Sequence, residues 1–193
     1  MECRAGLARA VESAVLGVGL SQDELACLEE LGLARGGLLH PKPYLIYKAL
    51  ELGARIDLAK ISRALSWREF EEMVEYVLEG WGFSVQRGLR IECGGRLFEF
   101  DVLAKSKDKL IVAEVKHWKY GGSKWGEIAR AHLKKTAACA GKLRGLAPKV
   151  IPVVVTLTST DAVIGGVPVI SISSLNGLLA GLDDLGDEII VFT

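Results

Sequence analysis

The chain has 193 residues, half of them hydrophobic, with 24 Lys and Arg balanced by 24 Asp and Glu. This length suits one α/β core plus a small accessory segment. The absence of any run of about 18 apolar residues excludes a membrane-spanning helix by sequence, and the zero net charge gives no overall signal for a polyanion partner.

The first 63 residues read as helices. The N-terminal stretch places Glu12 inside its apolar run, which fits an amphipathic helix rather than a signal peptide; a soluble, cytoplasmic protein is expected. Ser21 and Glu24 form a capping box that opens a helix near Gln22, expected to end around Gly36-Gly37. Pro41 and Pro43 suit the first turn of a helix running to about Leu52, and a short helix is predicted from Asp57 to Leu65. Ser66 and Glu69 form a second capping box. The helix it opens carries Phe70, Met73, Val74, Val77, Leu78 and Trp81 as one apolar stripe and stops at Gly82.

Beyond Gly82 the period shortens. A strand starts at 83–85, Gly94-Gly95 marks a turn, and residues 97–104 and 110–117 read as strands joined by a tight turn at 106–109. A helix is predicted over 124–143. Residues 151–157 and 167–172 read as strands buried on both faces. A short helix and a final edge strand, Glu188–Phe192, complete the order. The expected fold is α/β: a mixed central sheet flanked by helices over 64–193, preceded by a helical segment over 1–63.

Cys3, Cys27, Cys93 and Cys139 are too widely spaced for a zinc ribbon or a Cys-x-x-Cys motif. In an intracellular protein they are expected to be reduced, buried or inert thiols, with a structural disulfide as the alternative.

The strand pair carries the chemistry. Side chains alternate along a strand, so Phe98, Phe100 and Val102 should share one face and Glu99, Asp101 and Leu103 the other. Glu114 and Lys116 share a face with Leu110 and Val112. If Asp101 sits opposite Glu114, the turn centres on Lys107-Asp108, where the turn residues are. Two carboxylates and an ammonium then meet in an apolar sheet. Buried charges of this kind need pairing or a metal, and Mg²⁺ accepts a few carboxylates plus waters and phosphate oxygens. Such an ion polarises a phosphoryl group and acidifies bound water, so the set suits phosphodiester hydrolysis. A structural salt bridge is the alternative for the same three residues. Residues 105–149 hold twelve Lys or Arg against three acids, a candidate electrostatic footprint for a polyanion, with a solvated helix face as the alternative.

With WREFEEMVEYVLEGWGFSV (67–85), FEFDVLAK (98–105) and LIVAEVKHW (110–118), the chain resembles the PD-(D/E)XK nuclease superfamily, and most closely its Mrr-like restriction endonuclease branch. The resemblance covers roughly residues 66–175. It implies an αβββαβ core and Mg²⁺-dependent (or Mn²⁺-dependent) cleavage of DNA, duplex or branched. Asp101 and Glu114 would be metal ligands and Lys116 the catalytic lysine. It also implies an acid on the first core helix, where Glu69, Glu71, Glu72, Glu75 and Glu79 compete. Glu71 follows Phe70, where the motif places it, and lies nearest the apolar stripe, roughly 90° from its centre; Glu75 is the second choice. Relatives often carry Gln on the helix after the Glu-x-Lys motif; here His132 and Thr136 stand at the most similar spacing. His117, Lys119, Lys124, Arg130 and His132 are candidate nucleic-acid contacts, with Trp118 able to stack on a base. A Holliday-junction resolvase-like enzyme acting as a homodimer, and a non-catalytic nucleic-acid-binding module, are the rival readings.

Overall fold

The structure is a computed structural model that describes every residue except 1, 118–123 and 158–160, and every side chain outside those except those of residues 2 and 4. Its chain divides into two compact units, Met1–Tyr76 and Val77–Thr193.

In the first unit, α1 (Glu2–Leu16) and α2 (Gln22–Glu30) pack together. The Ser21 hydroxyl accepts the Glu24 N–H while the Glu24 carboxylate accepts the Ser21 N–H, as the capping box requires. The predicted end of this helix is corrected. Gly36-Gly37 instead turns a short hairpin, β1 (Ala34–Arg35) and β2 (Leu38–Leu39), because both glycines adopt positive φ. Next come α3 (Lys42–Glu51), capped at Pro41, and α4 (Leu58–Ile61), whose N-cap Asp57 accepts the Lys60 N–H. The second capping box opens α5 (Trp67–Gly80). Five residues of its apolar stripe are buried, but Trp81 lies beyond the helix, is 45% exposed and donates to Asn176 Oδ1 at 2.8 Å.

The second unit is built on a six-stranded mixed sheet. Its strands are β3 (Ser84–Cys93), β4 (Arg96–Lys105), β5 (Lys109–Lys116), β6 (Lys149–Thr156), β7 (Ala162–Ile164) and β8 (Val167–Ser171), in the spatial order β3-β4-β5-β6-β8-β7. The first three form an antiparallel meander; β5, β6 and β8 run parallel, and β7 closes the edge antiparallel to β8. Strands β6 and β8 are buried almost throughout, as their two-sided apolar sequences predict. Helix α6 (Trp125–Arg144) crosses one face of the sheet, and α7 (Leu175–Gly181) follows β8. The architecture is compatible with a restriction-endonuclease-like core. Strand β7 had no sequence signal beyond three residues before Gly165-Gly166. The expected final strand is reduced to a single bridge, Val150 to Phe192.

The expectation of free thiols is overturned. Cys3 bonds to Cys27, and Cys93 bonds to Cys139. The second bond ties the end of β3 to α6. Distant positions in sequence become neighbours once α6 lies over the meander, a proximity that spacing alone does not reveal. Among the described residues, no helix is long and apolar enough to cross a membrane.

Candidate metal and phosphodiester site

Strand β5 sets one edge of the site. Leu110, Val112, Glu114 and Lys116 alternate onto the face covered by α6. Leu110 and Val112 pack there with Cys139 and Leu143 of that helix. The apolar contact fixes the strand against α6, so the next residue on the same face, Glu114, meets the helix one to two turns nearer its N-terminus. It meets His132 and Lys135.

Glu114 is the hub. Its Oε1 lies 2.5 Å from Lys116 Nζ, and its Oε2 accepts from Lys135 Nζ. Nδ1 of His132 stands 3.4 Å from the same Oε2, an electrostatic approach rather than a well-formed hydrogen bond. His132 is 2% exposed, and its Nε2 is 2.8 Å from the Val112 carbonyl. A carbonyl only accepts, so Nε2 carries the proton of that bond. Burial pushes the Glu114 carboxyl up. The His132 ring and the two ammonium groups outweigh it and hold the acid well below the usual carboxylate range.

Asp101 completes the centre through a break in strand pairing. Val102 pairs with Ala113, and this register runs on to the turn centred on Lys107-Asp108. Continued one residue the other way, it sets Asp101 opposite Glu114, the predicted juxtaposition. The backbone ladder nevertheless stops at Val102. On the other side, Arg87 pairs with Val102 and Leu89 with Phe100, and the step between them is missing. Gly88 occupies that step with φ +62°, a conformation that L side chains rarely adopt. Of the residues of β4, Asp101 alone belongs to neither ladder. Its Oδ2 accepts the Val115 N–H at 2.8 Å instead. The break also corrects the predicted alternation: Phe98, Phe100 and Leu103 all pack in one cluster, so the facing of side chains shifts across Asp101. Burial raises the Asp101 carboxyl above its ordinary range, and the charge of Glu114 adds to the rise. The Val115 N–H and the two lysines oppose it.

Lys135 is the residue that sequence reading did not single out. In the structure its ammonium touches Glu114, donates to the Glu99 carbonyl at 3.0 Å, and lies 5.1 Å from the Phe100 ring centre. The buried positions of α6, Ala129, His132, Thr136, Cys139 and Leu143, recur at helical spacing and would have placed Lys135 at the border of that stripe. Lys124, Arg130 and Lys134 are exposed, and Lys124 pairs loosely with Glu127 at 3.8 Å. His117 directly follows β5 and is partly buried. Trp118 and Lys119 lie outside the described residues. Glu71 sits on α5 in the first unit, where the Trp67 indole N–H donates to its carboxylate; Glu75 lies one turn further on.

A cleft of about 280 Å³ opens onto Glu114, Lys116, Ile128, Ala131, His132 and Lys135. Within the first unit, a larger cavity of about 420 Å³ beside the Cys3–Cys27 bond is lined, among the described residues, by Asp23, Glu24 and Glu30 and by no Lys or Arg, a lining ill suited to phosphate.

The donor set fits a hard divalent cation better than zinc. Among the described residues no three His, Cys, Asp or Glu side chains gather as a cation cage, whereas structural zinc takes four protein ligands and catalytic zinc three. A pair of carboxylates leaves most positions to water and phosphate oxygen, as Mg²⁺ prefers. Burial, and after it the charge of Glu114, raises the Asp101 carboxyl, and a divalent cation between the two carboxylates would offset both.

Residues 66–157 match the family model of the nuclease-related domain, NERD. That segment runs from the N-cap of α5 to the residue after β6 and contains every member of the site. No curated protein matches the chain. Among solved structures, protein VC1899 from Vibrio cholerae is similar over 97% of this chain and 52% of its own, at 16% identity and a TM-score of 0.36. The chain thus spans about half the length of that protein. Residues 66–157 are thus similar to a nuclease-related domain.

Proposed function

We propose that the chain is a metal-dependent nuclease that hydrolyses DNA phosphodiester bonds at the end of β5. The observation that carries this reading is the convergence of Glu114, Lys116 and Lys135 on one cleft, with the Asp101 carboxylate in electrostatic reach of all three, within a segment matched as nuclease-related. Asp101 and Glu114 would hold Mg²⁺ or Mn²⁺. Such an ion supplies Lewis-acid polarisation of the phosphoryl group and a more acidic bound water. Lys116, beside Glu114 on the same strand face, is placed to stabilise charge that develops on the phosphoryl oxygens. His132, anchored on the Val112 carbonyl, lines the cleft beside Glu114. Exposed bases along α6 would position a nucleic-acid backbone without reading its sequence.

The test is incubation with supercoiled, linear and four-way-junction DNA, with and without Mg²⁺ or Mn²⁺. Cation-dependent cleavage that is lost in Glu114→Ala supports the reading. Preference for the junction supports the resolvase-like form. Salt-sensitive binding without nicking across several metals supports a non-catalytic module instead. Glu71→Gln in the same assay tests the further acid that the family resemblance implies.

A further inference from the structure

We propose that Lys135 is a second functional lysine of this site, one that occupies the metal seat on Glu114 until a divalent cation and a phosphate displace it. The proposal rests on the metal-site reading above and assigns a role to a residue outside the Asp/Glu-x-Lys motif.

Both oxygens of Glu114 are engaged by ammonium groups, Oε1 by Lys116 and Oε2 by Lys135. A divalent cation bound to this carboxylate would lie within a few ångströms of both like charges, so at least one lysine has to withdraw. The two are not equivalent. Lys116 is tied to Glu114 by the strand, two residues away on the same face. Lys135 approaches from α6 along a flexible stem, and it has two other sites within reach, the Glu99 carbonyl at 3.0 Å and the face of Phe100. It also lines the cleft where a phosphodiester would enter. Lys135 is therefore the group that withdraws, and a phosphate oxygen is the partner its ammonium gains in exchange for Glu114.

Two consequences have opposite signs. Removing the Lys135 charge opens the seat and strengthens metal binding in the absence of DNA. It also removes a phosphate contact and weakens the hold on the substrate. A purely structural role for Lys135 would lower both.

The deciding experiment is calorimetric titration of the full chain with Mn²⁺, without DNA. Lys135→Met is expected to bind Mn²⁺ about tenfold more tightly than the unaltered protein, and Lys135→Gln to gain less; the latter also serves if the Met variant fails to fold. Adding Glu114→Gln to either variant should abolish the gain. In steady-state cleavage, the Mn²⁺ concentration for half-maximal rate should fall while KM for DNA rises. Equal or weaker Mn²⁺ affinity in the Lys135 variants, with binding still dependent on Glu114, would overturn the role of Lys135 and leave the metal site standing. If neither the unaltered protein nor any variant binds Mn²⁺, the metal-site reading and this proposal fall together.

Discussion

The Asp101 carboxylate accepts the backbone N–H of Val115 at 2.8 Å, the place in the strand pair where a backbone carbonyl of β4 would otherwise serve. One side chain thereby does two things. It satisfies a donor that the broken ladder leaves open, and it is held beside Glu114. Gly88, at φ +62° on the neighbouring strand, sits at the same break.

Gly88→Ala should therefore disturb the site through the backbone. An added Cβ meets nothing within 4 Å, so crowding is absent and the cost is conformational, about 1–2 kcal/mol. Denaturant unfolding should show that loss, and Mn²⁺ affinity should fall with it. Unchanged stability would mean that the strand tolerates another conformation at this step.

Lys116→Ala should lower turnover by roughly 10²–10³ if the ammonium stabilises the transition state electrostatically. Single-turnover cleavage with saturating Mn²⁺ measures it. A rate within a factor of about two of the unaltered enzyme would remove the role assigned to this lysine.

Asp101→Asn should raise the metal-free melting temperature at neutral pH. The folded Asp101 carboxyl is raised above its unfolded value by burial and by Glu114. Its ionisation therefore costs folding free energy, and the cost is present above the folded value and vanishes below the unfolded one. The stabilisation by Asn should accordingly fade as pH falls through the carboxylate range. Glu114→Gln should behave oppositely, because this carboxyl is lowered. It should destabilise at neutral pH by about 2–4 kcal/mol, having removed the carboxylate that two ammonium groups share, and the difference should shrink once the pH drops below the ordinary glutamate range. Thermal melts across pH 3–8 (about the span over which carboxylates titrate) check both signs.

Reduction of the disulfides should cost about 2–4 kcal/mol each, with the larger loss for Cys93–Cys139. Its partners are 46 residues apart, against 24 for Cys3–Cys27. Melting with and without reductant, on Cys3→Ser and Cys93→Ser variants, separates the two contributions.

Local signals carried most of the fold. Both capping boxes form, because a hydroxyl and a carboxylate three residues apart satisfy orphan N–H groups regardless of tertiary context. Turn residues at 106–109 set the register of β4 on β5, which runs from Lys105–Leu110 to Val102–Ala113 and stops one residue short of Asp101 and Glu114. Features that depend on distant packing were not legible. The two disulfides need α1 beside α2 and α6 over the meander. The shift of facing across Asp101 needs the Gly88 irregularity on another strand. Lys135 could not be told from Lys134 by charge; only the burial of His132 and Thr136 shows which of the pair borders the sheet. The final segment, Glu188–Phe192, alternates like a strand, yet among the described residues it pairs only through the Val150–Phe192 bridge and one hydrogen bond from the Ile190 N–H to the Gly166 carbonyl.

The most direct test of the central claim is diffraction from crystals soaked in Mn²⁺, with data collected for anomalous scattering. The account predicts one strong anomalous peak bonded to an oxygen of Asp101 and an oxygen of Glu114, at roughly 2.0–2.3 Å from each, with Lys135 Nζ moved off Glu114. A peak elsewhere, or an ammonium still on each Glu114 oxygen at saturating Mn²⁺, would contradict it.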